Sequence, residues 1–278
     1  MSPSQRELLR RYGIRPVKRR GQNFLLDGNL ARRIADATLE LGREVLELGA
    51  GAGALTVHLL AGGGRVTAVE VDRHLCELLR SEWGGDPNFR LREADLARLD
   101  WAALLAELGE NLVVAGNLPY VLTSSVLFAL ADRREHLAGA VLMVQKEVAE
   151  RLTSRAGNKD YGVLSALLGS LFRIEVVRRV PPEVFWPQPA VASAVVRMVP
   201  AAPWPEAEYR SFSKLVKTLF GKRRKKVGTL LRQAYGVSTE RLAEVARAAD
   251  IDPAARPEQL DGQQLQSLAR YLTGRNGS

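Results

Sequence analysis

The sequence has little cysteine and no long apolar run. Cys76 is the single cysteine among 278 residues, so no disulfide can form within the chain and a reducing compartment is the default expectation. No run approaches the roughly 20 apolar residues that a membrane helix needs. The first 25 residues are rich in arginine but lack the apolar segment of a secretory signal. These absences favour a cytoplasmic protein without a membrane partner.

Acidic residues are fewer than basic ones, which gives a net charge of +9 and an isoelectric point near 10.0. Such a balance suggests a polyanionic partner, although a solvated basic surface is the plainer interpretation. The charge is concentrated in two places. An N-terminal cluster contains Arg6, Arg10, Arg11, Arg15, Lys18, Arg19 and Arg20, and a second one, without any acid, contains Lys214, Lys217, Lys222, Arg223, Arg224, Lys225 and Lys226.

Short apolar runs alternate with amphipathic segments through the first two thirds of the chain. The runs are typical of buried parallel strands, and they cover residues 44–49, 65–72, 89–95, 111–117 and 139–145. Helix-like segments separate them, so the pattern predicts a doubly wound α/β sheet of Rossmann-like type. Two later runs, 173–180 and 191–200, are expected to add an antiparallel edge.

A proline-rich stretch at 201–207 reads as a linker. Beyond it only helical periodicity is found, at 207–220, 223–235, 239–249 and 262–273. We therefore predict two domains: an α/β domain over 1–204 that carries the basic N-terminal extension, and a small all-helical domain over 205–278. The chain shows no heptad seam, so a monomer is expected.

Three glycines, Gly49, Gly51 and Gly53, lie between the first strand and the following helix. Glycines at this position allow a ligand to approach the backbone, and the helix N-terminus offers N–H donors. The spacing fits both the relaxed dinucleotide pattern, with Ala54 in the last place, and the G-x-G-x-G of S-adenosylmethionine enzymes. A tight turn without a ligand is the structural alternative.

Two acidic residues follow at later strand ends on the same edge of the predicted sheet. Glu70 closes the second strand, 21 positions after Gly49, where an acid can bind the ribose hydroxyls of either cofactor. Asp95 closes the third strand, where its carboxylate can accept a hydrogen bond from an adenine amine. Asp95 alone would equally suit the N-cap of a helix beginning at Leu96. The three features together favour S-adenosylmethionine.

The fourth strand ends in Asn117-Leu118-Pro119-Tyr120. The Asn117 side-chain oxygen can accept a hydrogen bond, and Pro119 biases Leu118 away from helix, which can direct the Leu118 carbonyl toward a ligand. Two acceptors facing one amine would free its lone pair for attack on a methyl group, and Tyr120 can stack on the ring that bears the amine. This arrangement needs no general base, and no metal is expected.

At this point the sequence resembles the bacterial small-subunit rRNA adenine N6,N6-dimethyltransferases, the KsgA/RsmA family. The similarity covers nearly the whole chain. Its motifs are GQNFLLD at 21–27, VLELGAGAGALT at 45–56, NLPY at 117–120, VFWPQPAVASAVV at 184–196 and KLVKTLFGKRRKKVGTLL at 214–231. Ala50 replaces a common proline, and Val121 replaces a common asparagine.

The resemblance implies a class I S-adenosylmethionine-dependent methyltransferase that modifies two adjacent adenosines in a hairpin loop of 16S rRNA within an assembling 30S particle. It places Gln22, Asn23 and Leu25 beside the methionine part of the cofactor, and Phe185 across the target base from Tyr120. It also implies that the helical domain binds rRNA, which makes Lys222, Arg223, Arg224, Lys225 and Lys226 candidate RNA contacts.

Three alternatives remain open from the residues. The first is an amino-methyltransferase of DNA adenine or protein glutamine, whose usual D/N-P-P-Y motif differs at Leu118. The second is a nucleic-acid-binding relative that has lost its chemistry. The third is an NAD-dependent dehydrogenase, which lacks support because His58, His74 and His136 fall in helix-like or loop stretches and no dehydrogenase catalytic set is evident.

Overall fold

The structure is a computed structural model that describes residues 4–17, 21–201 and 204–274. Lys18, Arg19 and Arg20 of the N-terminal cluster lie outside these ranges. The chain divides into two compact units. The first contains the residues up to Ala149 together with Ile174–Pro200, and the second contains Glu150–Arg173 and the residues from Ala201 onward.

The first unit is built on a seven-stranded sheet. The strands are β1 (Phe24–Leu25), β2 (Glu44–Leu48), β3 (Arg65–Glu70), β4 (Phe89–Glu93), β5 (Leu112–Asn117), β6 (Leu137–Gln145), β7 (Phe172–Val180), β8 (Phe185–Trp186) and β9 (Ser193–Pro200). The large sheet has the order β4-β3-β2-β5-β6-β9-β7, while β1 and β8 form a separate antiparallel pair. The pairs from β4 to β6 are parallel, and β9 runs antiparallel to β6.

The helices of the first unit are α1 (Gln5–Arg11), α2 (Gly28–Leu39), α3 (Thr56–Ala61), α4 (Arg73–Trp83), α5 (Trp101–Leu108) and α6 (Thr123–Asp132), and α7 (Lys146–Leu152) crosses into the second. Single turns of 3-10 helix cover Tyr120–Leu122, Arg134–His136 and Pro182–Val184. Three of the helices begin at aspartate N-caps, because Asp27, Asp72 and Asp100 accept hydrogen bonds from the first free backbone amides. The predicted doubly wound α/β fold is confirmed.

The second unit contains α8 (Val163–Leu171), α9 (Glu206–Phe220), α10 (Val227–Tyr235), α11 (Thr239–Ala249), the 3-10 turn Pro257–Gln259 and α12 (Gly262–Thr273). One face of α9 is buried through Phe212, Val216 and Leu219. The unit takes in residues 150–173, which the sequence assigned to the α/β domain, because α8 packs on α9 and α12. The boundary in space therefore differs from the single cut predicted at 204.

The helix expected over 223–235 begins only at Val227. Its first backbone amides donate to carbonyls from another segment: Val227 to Ala255 (2.8 Å) and Gly228 to Pro253 (2.9 Å). Because the first backbone amides of α10 already have hydrogen-bond acceptors, the helix begins at Val227, and Lys222–Lys226 form a connecting loop before it. We call these five residues the basic loop. Within the described residues, no helix is long and apolar enough to cross a membrane.

Candidate active site

A cavity of about 380 Å³ lies at the carboxyl ends of the parallel strands in the first unit. This is the edge at which doubly wound sheets bind ligands. Of the residues proposed from the sequence, the structure brings Gln22, Asn23, Leu25, Gly49, Gly51, Glu70, Asp95, Asn117, Leu118, Pro119 and Tyr120 together around it. Gly53, Phe185 and the basic loop are not among the described residues that line it.

The glycine turn follows β2, and all three glycines have positive φ, between 58° and 78°. This left-handed region favours glycine, so the turn could not be built from other residues without strain. Gly49 and Gly51 line the cavity. Gly53 serves packing instead, since a Cβ there would lie 2.3 Å from the ring of Trp83. The cofactor-binding role expected for Gly53 is therefore not supported by its position.

Glu70 ends β3 and connects two parts of the cavity wall. Its Oε2 accepts a hydrogen bond from the Gly51 amide at 2.9 Å, and its Oε1 accepts from the amides of Val71 and Asp72 at 2.9 and 3.0 Å. Burial raises the pKa of the Glu70 carboxyl, and these three backbone donors act against that shift. The carboxyl group fixes the glycine turn through the Gly51 amide and keeps acceptor capacity for a further donor, such as a ribose hydroxyl.

Asp95 lies just beyond β4 at the same edge. Its Oδ1 accepts from the Ala97 amide at 2.9 Å and closes a turn. The alternative interpretation, an N-cap for a helix starting at Leu96, is wrong, because α5 begins at Trp101 with Asp100 as its cap. The half-buried Asp95 carboxylate is thus held at the cavity wall by a local bond that leaves further lone pairs for a ligand.

The segment around Gln22 and Asn23 is attached to the strand ends by side-chain hydrogen bonds. Gln22 Nε2 donates to Asp72 Oδ2 at 3.2 Å, while its Oε1 accepts from the Val17 amide at 2.8 Å. Asn117 Nδ2 donates to the Asn23 carbonyl at 2.8 Å. That bond uses the donor side of the Asn117 amide, so Oδ1 remains as its acceptor.

After β5 the chain turns abruptly through Leu118 and Pro119. Leu118 is 1% exposed and its amide donates to the Met143 carbonyl at 3.2 Å. Tyr120 starts a 3-10 turn, and its hydroxyl lies 2.9 Å from the hydroxyl of the fully buried Ser193. Sequence reasoning missed Ser193 as a partner of Tyr120, although it lies within the motif at 184–196.

Phe185, which the resemblance places across the target base from Tyr120, is a buried residue in this structure. Its side chain is 4% exposed and belongs to a buried cluster with Leu25 and Val195. In β8, side chains alternate between the two faces, and the outward position belongs to Trp186, which is 41% exposed. The expected place of Phe185 across the target base from Tyr120 therefore stays a prediction, which has to account for this burial.

Glu47 is a buried carboxyl in the cavity wall that the sequence analysis overlooked. It is 1% exposed, and Thr56 Oγ1 donates to its Oε2 at 2.6 Å. Burial raises the pKa of Glu47 to about 8, the Thr56 bonds oppose this, and the charge of Glu70 adds to it. The signal that could have identified Glu47 is its place as an acidic residue inside the otherwise apolar run that forms β2.

The five side chains of the basic loop are all exposed in the second unit. Arg223 Nε lies 4.0 Å from Glu258 Oε2, and its Nη2 donates to the Lys159 carbonyl at 3.4 Å. Lys225 Nζ donates to Gln233 Oε1 at 3.2 Å. Across the described residues, the side chains of Lys222, Arg224 and Lys226 form no hydrogen bond or ion pair. The described residues also contain no group of three or more His, Cys, Asp or Glu placed to hold a metal ion.

Comparison with known proteins gives a consistent result. The profile of a family described as "Ribosomal RNA adenine dimethylase" matches residues 16–273. "Ribosomal RNA small subunit methyltransferase A" of Anaeromyxobacter sp. (strain K) is 45% identical, with 97% of this chain and 98% of that protein covered. The protein of the same name from Pseudomonas aeruginosa is 38% identical, with coverages of 94% and 96%.

Two solved structures share the fold. The structure described as "23S rRNA methyltransferase ErmE" has a TM-score of 0.67 and 27% identity, with 90% of this chain and 99% of that chain covered. A dimethyladenosine transferase from Plasmodium falciparum has a TM-score of 0.69 and 23% identity, with coverages of 85% and 94%. The second likeness concerns the fold alone.

Proposed function

Because this chain belongs to the ribosomal RNA adenine dimethylase family, we propose that it transfers methyl groups from S-adenosylmethionine to two adjacent adenosines in a hairpin loop of 16S rRNA. The protein is an rRNA adenine dimethyltransferase with the Rossmann-like class I methyltransferase fold. The methyl donor, the RNA hairpin loop and the roles of individual residues are proposals. The cavity at the sheet edge supports the methyl donor and the roles of the residues that line it.

The cavity suits a nucleoside that carries an amino-acid chain. Its volume of about 380 Å³ is within the range of small-molecule sites, roughly 300–1,000 Å³. Glu70 would accept from the ribose hydroxyls and Asp95 from the adenine amine, while Gly49 and Gly51 let the ligand approach the backbone. Gln22, Asn23 and Leu25 would cover the methionine end. When bound, S-adenosylmethionine supplies an electrophilic methyl group on its sulfur.

The residues of the NLPY motif would activate the target amine without a base. The Asn117 Oδ1 and the Leu118 carbonyl accept hydrogen bonds from the N6 amine, so the nitrogen lone pair is directed at the methyl carbon. Asn117 and Leu118 would hold the amine in line with the electrophilic methyl group that S-adenosylmethionine supplies, and the proton released by the amine would leave for solvent after transfer. Catalysis then rests on positioning and on acceptors matched to the developing ammonium.

Tyr120 would stack on the adenine ring that carries this amine, because its hydroxyl is fixed by Ser193. A stacking role for Phe185 would require its buried side chain to leave the cluster around Leu25. Tyr120 is accordingly the aromatic residue on which the proposed base recognition depends. Reading an extruded base by stacking is the usual mode of enzymes that modify nucleobases.

We assign catalysis to the sheet-containing unit and RNA binding to the helical unit, which adds Glu150–Arg173 to the predicted 205–278. The basic loop would contact rRNA phosphates, which are the expected partner of exposed Lys and Arg side chains. The substrate would be the 30S subunit or its precursor, the protein would act as a monomer, and its place would be the cytoplasm, where subunits assemble.

The observation that carries the proposal is the hydrogen bond from Asn117 Nδ2 to the Asn23 carbonyl, which leaves an acceptor at the end of β5 beside Glu70 and Asp95. The test is transfer of a labelled methyl group from S-adenosylmethionine to 30S particles that lack the modification. We expect four methyl groups per particle, all on two neighbouring adenosines. Label on naked DNA but not on the particles would contradict the proposal.

A further inference from the structure

Trp186 is an exposed aromatic residue beside the cavity. It is 41% exposed, whereas the preceding aromatic, Phe185, is buried. The structure has few large hydrophobic side chains at its surface, and isolated ones need no explanation. Trp186 is different because its position is fixed and because it lies next to a residue of the cavity wall.

The ring of Trp186 is stacked on the ring of Phe24. Their centroids are 6.3 Å apart and their planes differ by 27°. The two residues are also register partners in the antiparallel pair of β1 and β8, and the adjacent bond from the Leu26 amide to the Val184 carbonyl, at 2.8 Å, extends this pair. The position of the indole is therefore determined by the backbone pairing of β8 with β1 and by the contact of its ring with Phe24.

Phe24 connects Trp186 to the site. Phe24 is 6% exposed and lines the cavity. Its Cδ1 lies 3.5 Å from the point where a Cβ would stand if residue 51 were not glycine. Val121, which is 82% exposed, also lines the cavity. The rim of the cavity thus carries exposed apolar surface, and one aromatic ring separates the indole from the glycine turn.

We propose that Trp186 is a stacking platform for an unpaired base of the substrate RNA next to the adenosine being methylated. This inference rests on the proposed function. Single-stranded RNA is recognised largely by stacking its bases on aromatic side chains, and a base outside the cavity must leave its own stack when its neighbour enters. The indole presents a large, immobilised π-surface at that point, so little side-chain freedom is lost on binding.

A structural alternative is that Trp186 only covers Phe24. The variants Trp186→Phe and Trp186→Leu separate the two roles, because both side chains cover Phe24 but only phenylalanine offers an aromatic face. Trp186→Ala removes both functions. Val177→Ala, which shortens another exposed apolar side chain that does not line the cavity, is the matched control.

The experiment measures the dissociation constant and KM for 30S particles lacking the modification, together with cofactor affinity and melting temperature. We expect Trp186→Leu and Trp186→Ala to weaken particle binding by about 5- to 150-fold, the range of one base–aromatic stack. Trp186→Phe should stay within about threefold of wild type, and cofactor affinity should not change in Trp186→Phe or Trp186→Leu, which both keep Phe24 covered.

If Trp186→Leu matches Trp186→Phe, the indole only covers Phe24 and the platform is disproved. A loss of cofactor affinity in Trp186→Leu, equal to its loss of particle affinity, would also overturn the proposal, since the effect would then pass through Phe24. Failure of the proposed function is distinguishable, because the wild-type protein itself would then transfer no methyl group to the particles.

Discussion

The hydroxyl of Tyr120 lies 2.9 Å from that of Ser193 and thereby connects the end of β5 to the start of β9. Ser193 is fully buried and is paired with Gln145 at the end of β6. Three neighbouring strands therefore determine where the Tyr120 ring stands. A ring that must stack on a substrate base gains from such a constraint, because the ordering entropy is lost before binding.

We expect Ser193→Ala to lower kcat about 5- to 13-fold, as loss of one neutral hydrogen bond is worth about 1–1.5 kcal/mol. Cofactor affinity should stay constant, because the serine acts through Tyr120. Tyr120→Phe should have an effect of similar size, and the double variant should be no worse than either single one. Additive losses in single-turnover assays would show that the two hydroxyls act independently.

Asn117→Ala should remove most methyl transfer and leave 30S binding intact. Loss of one preorganised hydrogen-bonding group in an active site lowers the rate by about 10²–10³. The alanine variant also loses the bond to the Asn23 carbonyl, so Asn117→Asp is the informative companion: it keeps an acceptor but loses the donor. Single-turnover transfer near the wild-type rate in Asn117→Ala would remove this residue from the mechanism.

The sequence predicted the strand ends well because each strand is an apolar run that is followed by a polar or charged residue. Glu70, Asp95 and Asn117 were found in this way, and the topology brings all three to one cavity. What could not be predicted depends on which face a side chain takes in a two-residue strand. That choice buries Phe185 and exposes Trp186.

Three other features depended on contacts between distant segments. Gly53 matched a cofactor motif, yet its small size serves the ring of Trp83, thirty positions away in the chain. The linker predicted at 201–207 includes residues 202 and 203, which lie outside the described residues. The packing of α8 on α9 and α12 was not predicted, because the periodicity of a helix does not indicate which other helix it packs against. Ser193 became a site residue only through its distance to Tyr120.

Glu70→Ala should weaken cofactor binding by about 10- to 150-fold, since hydrogen bonds to a charged group contribute about 1.5–3 kcal/mol. The structure gives two reasons: the carboxylate faces the cavity, and it also holds the Gly51 amide of the glycine turn. Calorimetry with S-adenosylmethionine measures the effect. Glu93→Gln is a suitable control, because Glu93 is the register partner of Glu70 on β4 and pairs with Arg80. Equal affinities for Glu70→Ala and wild type would exclude Glu70 from the site.

Glu47 should make the protein less stable as the pH rises. Burial raises the pKa of Glu47 from its ordinary value of 4.5 to about 8, so between these values the folded state holds a proton that the unfolded state has released. The free energy of unfolding then falls by up to about 1.4 kcal/mol per pH unit in that window, and the slope vanishes above pH 8.

Glu47→Gln should flatten this dependence, because glutamine stays neutral and its carbonyl can still accept from Thr56 Oγ1. Denaturant unfolding between pH 5 and pH 8.5 provides the comparison. Glu44→Gln, a change at the partly exposed start of the same strand, should keep the wild-type slope. The assignment of a buried, neutral Glu47 is incorrect if Glu47→Gln retains the full pH dependence.

The basic loop provides a prediction about RNA. Lys222, Arg224 and Lys226 are exposed, whereas Arg223 is partly used by Glu258 and the Lys159 carbonyl. We therefore expect changing the three residues to glutamine to weaken 30S binding without disturbing the fold of the helical unit. Each phosphate contact contributes about −0.7 to −0.9 to the slope of log affinity against log salt. The triple variant should reduce that slope by about 2 to 3.

The matched control changes Arg32, Arg33 and Arg90, three exposed arginines of the sheet-containing unit, to glutamine. It removes the same net charge, so a general electrostatic attraction would be reduced equally in both variants, whereas local phosphate contacts would be lost only in the loop variant. Affinity for S-adenosylmethionine should be the same in all three proteins, since none of these side chains lines the cavity. Particle affinities at several salt concentrations decide the matter: parallel lines for the loop variant and wild type would mean that the loop touches no phosphate and only keeps the protein in solution.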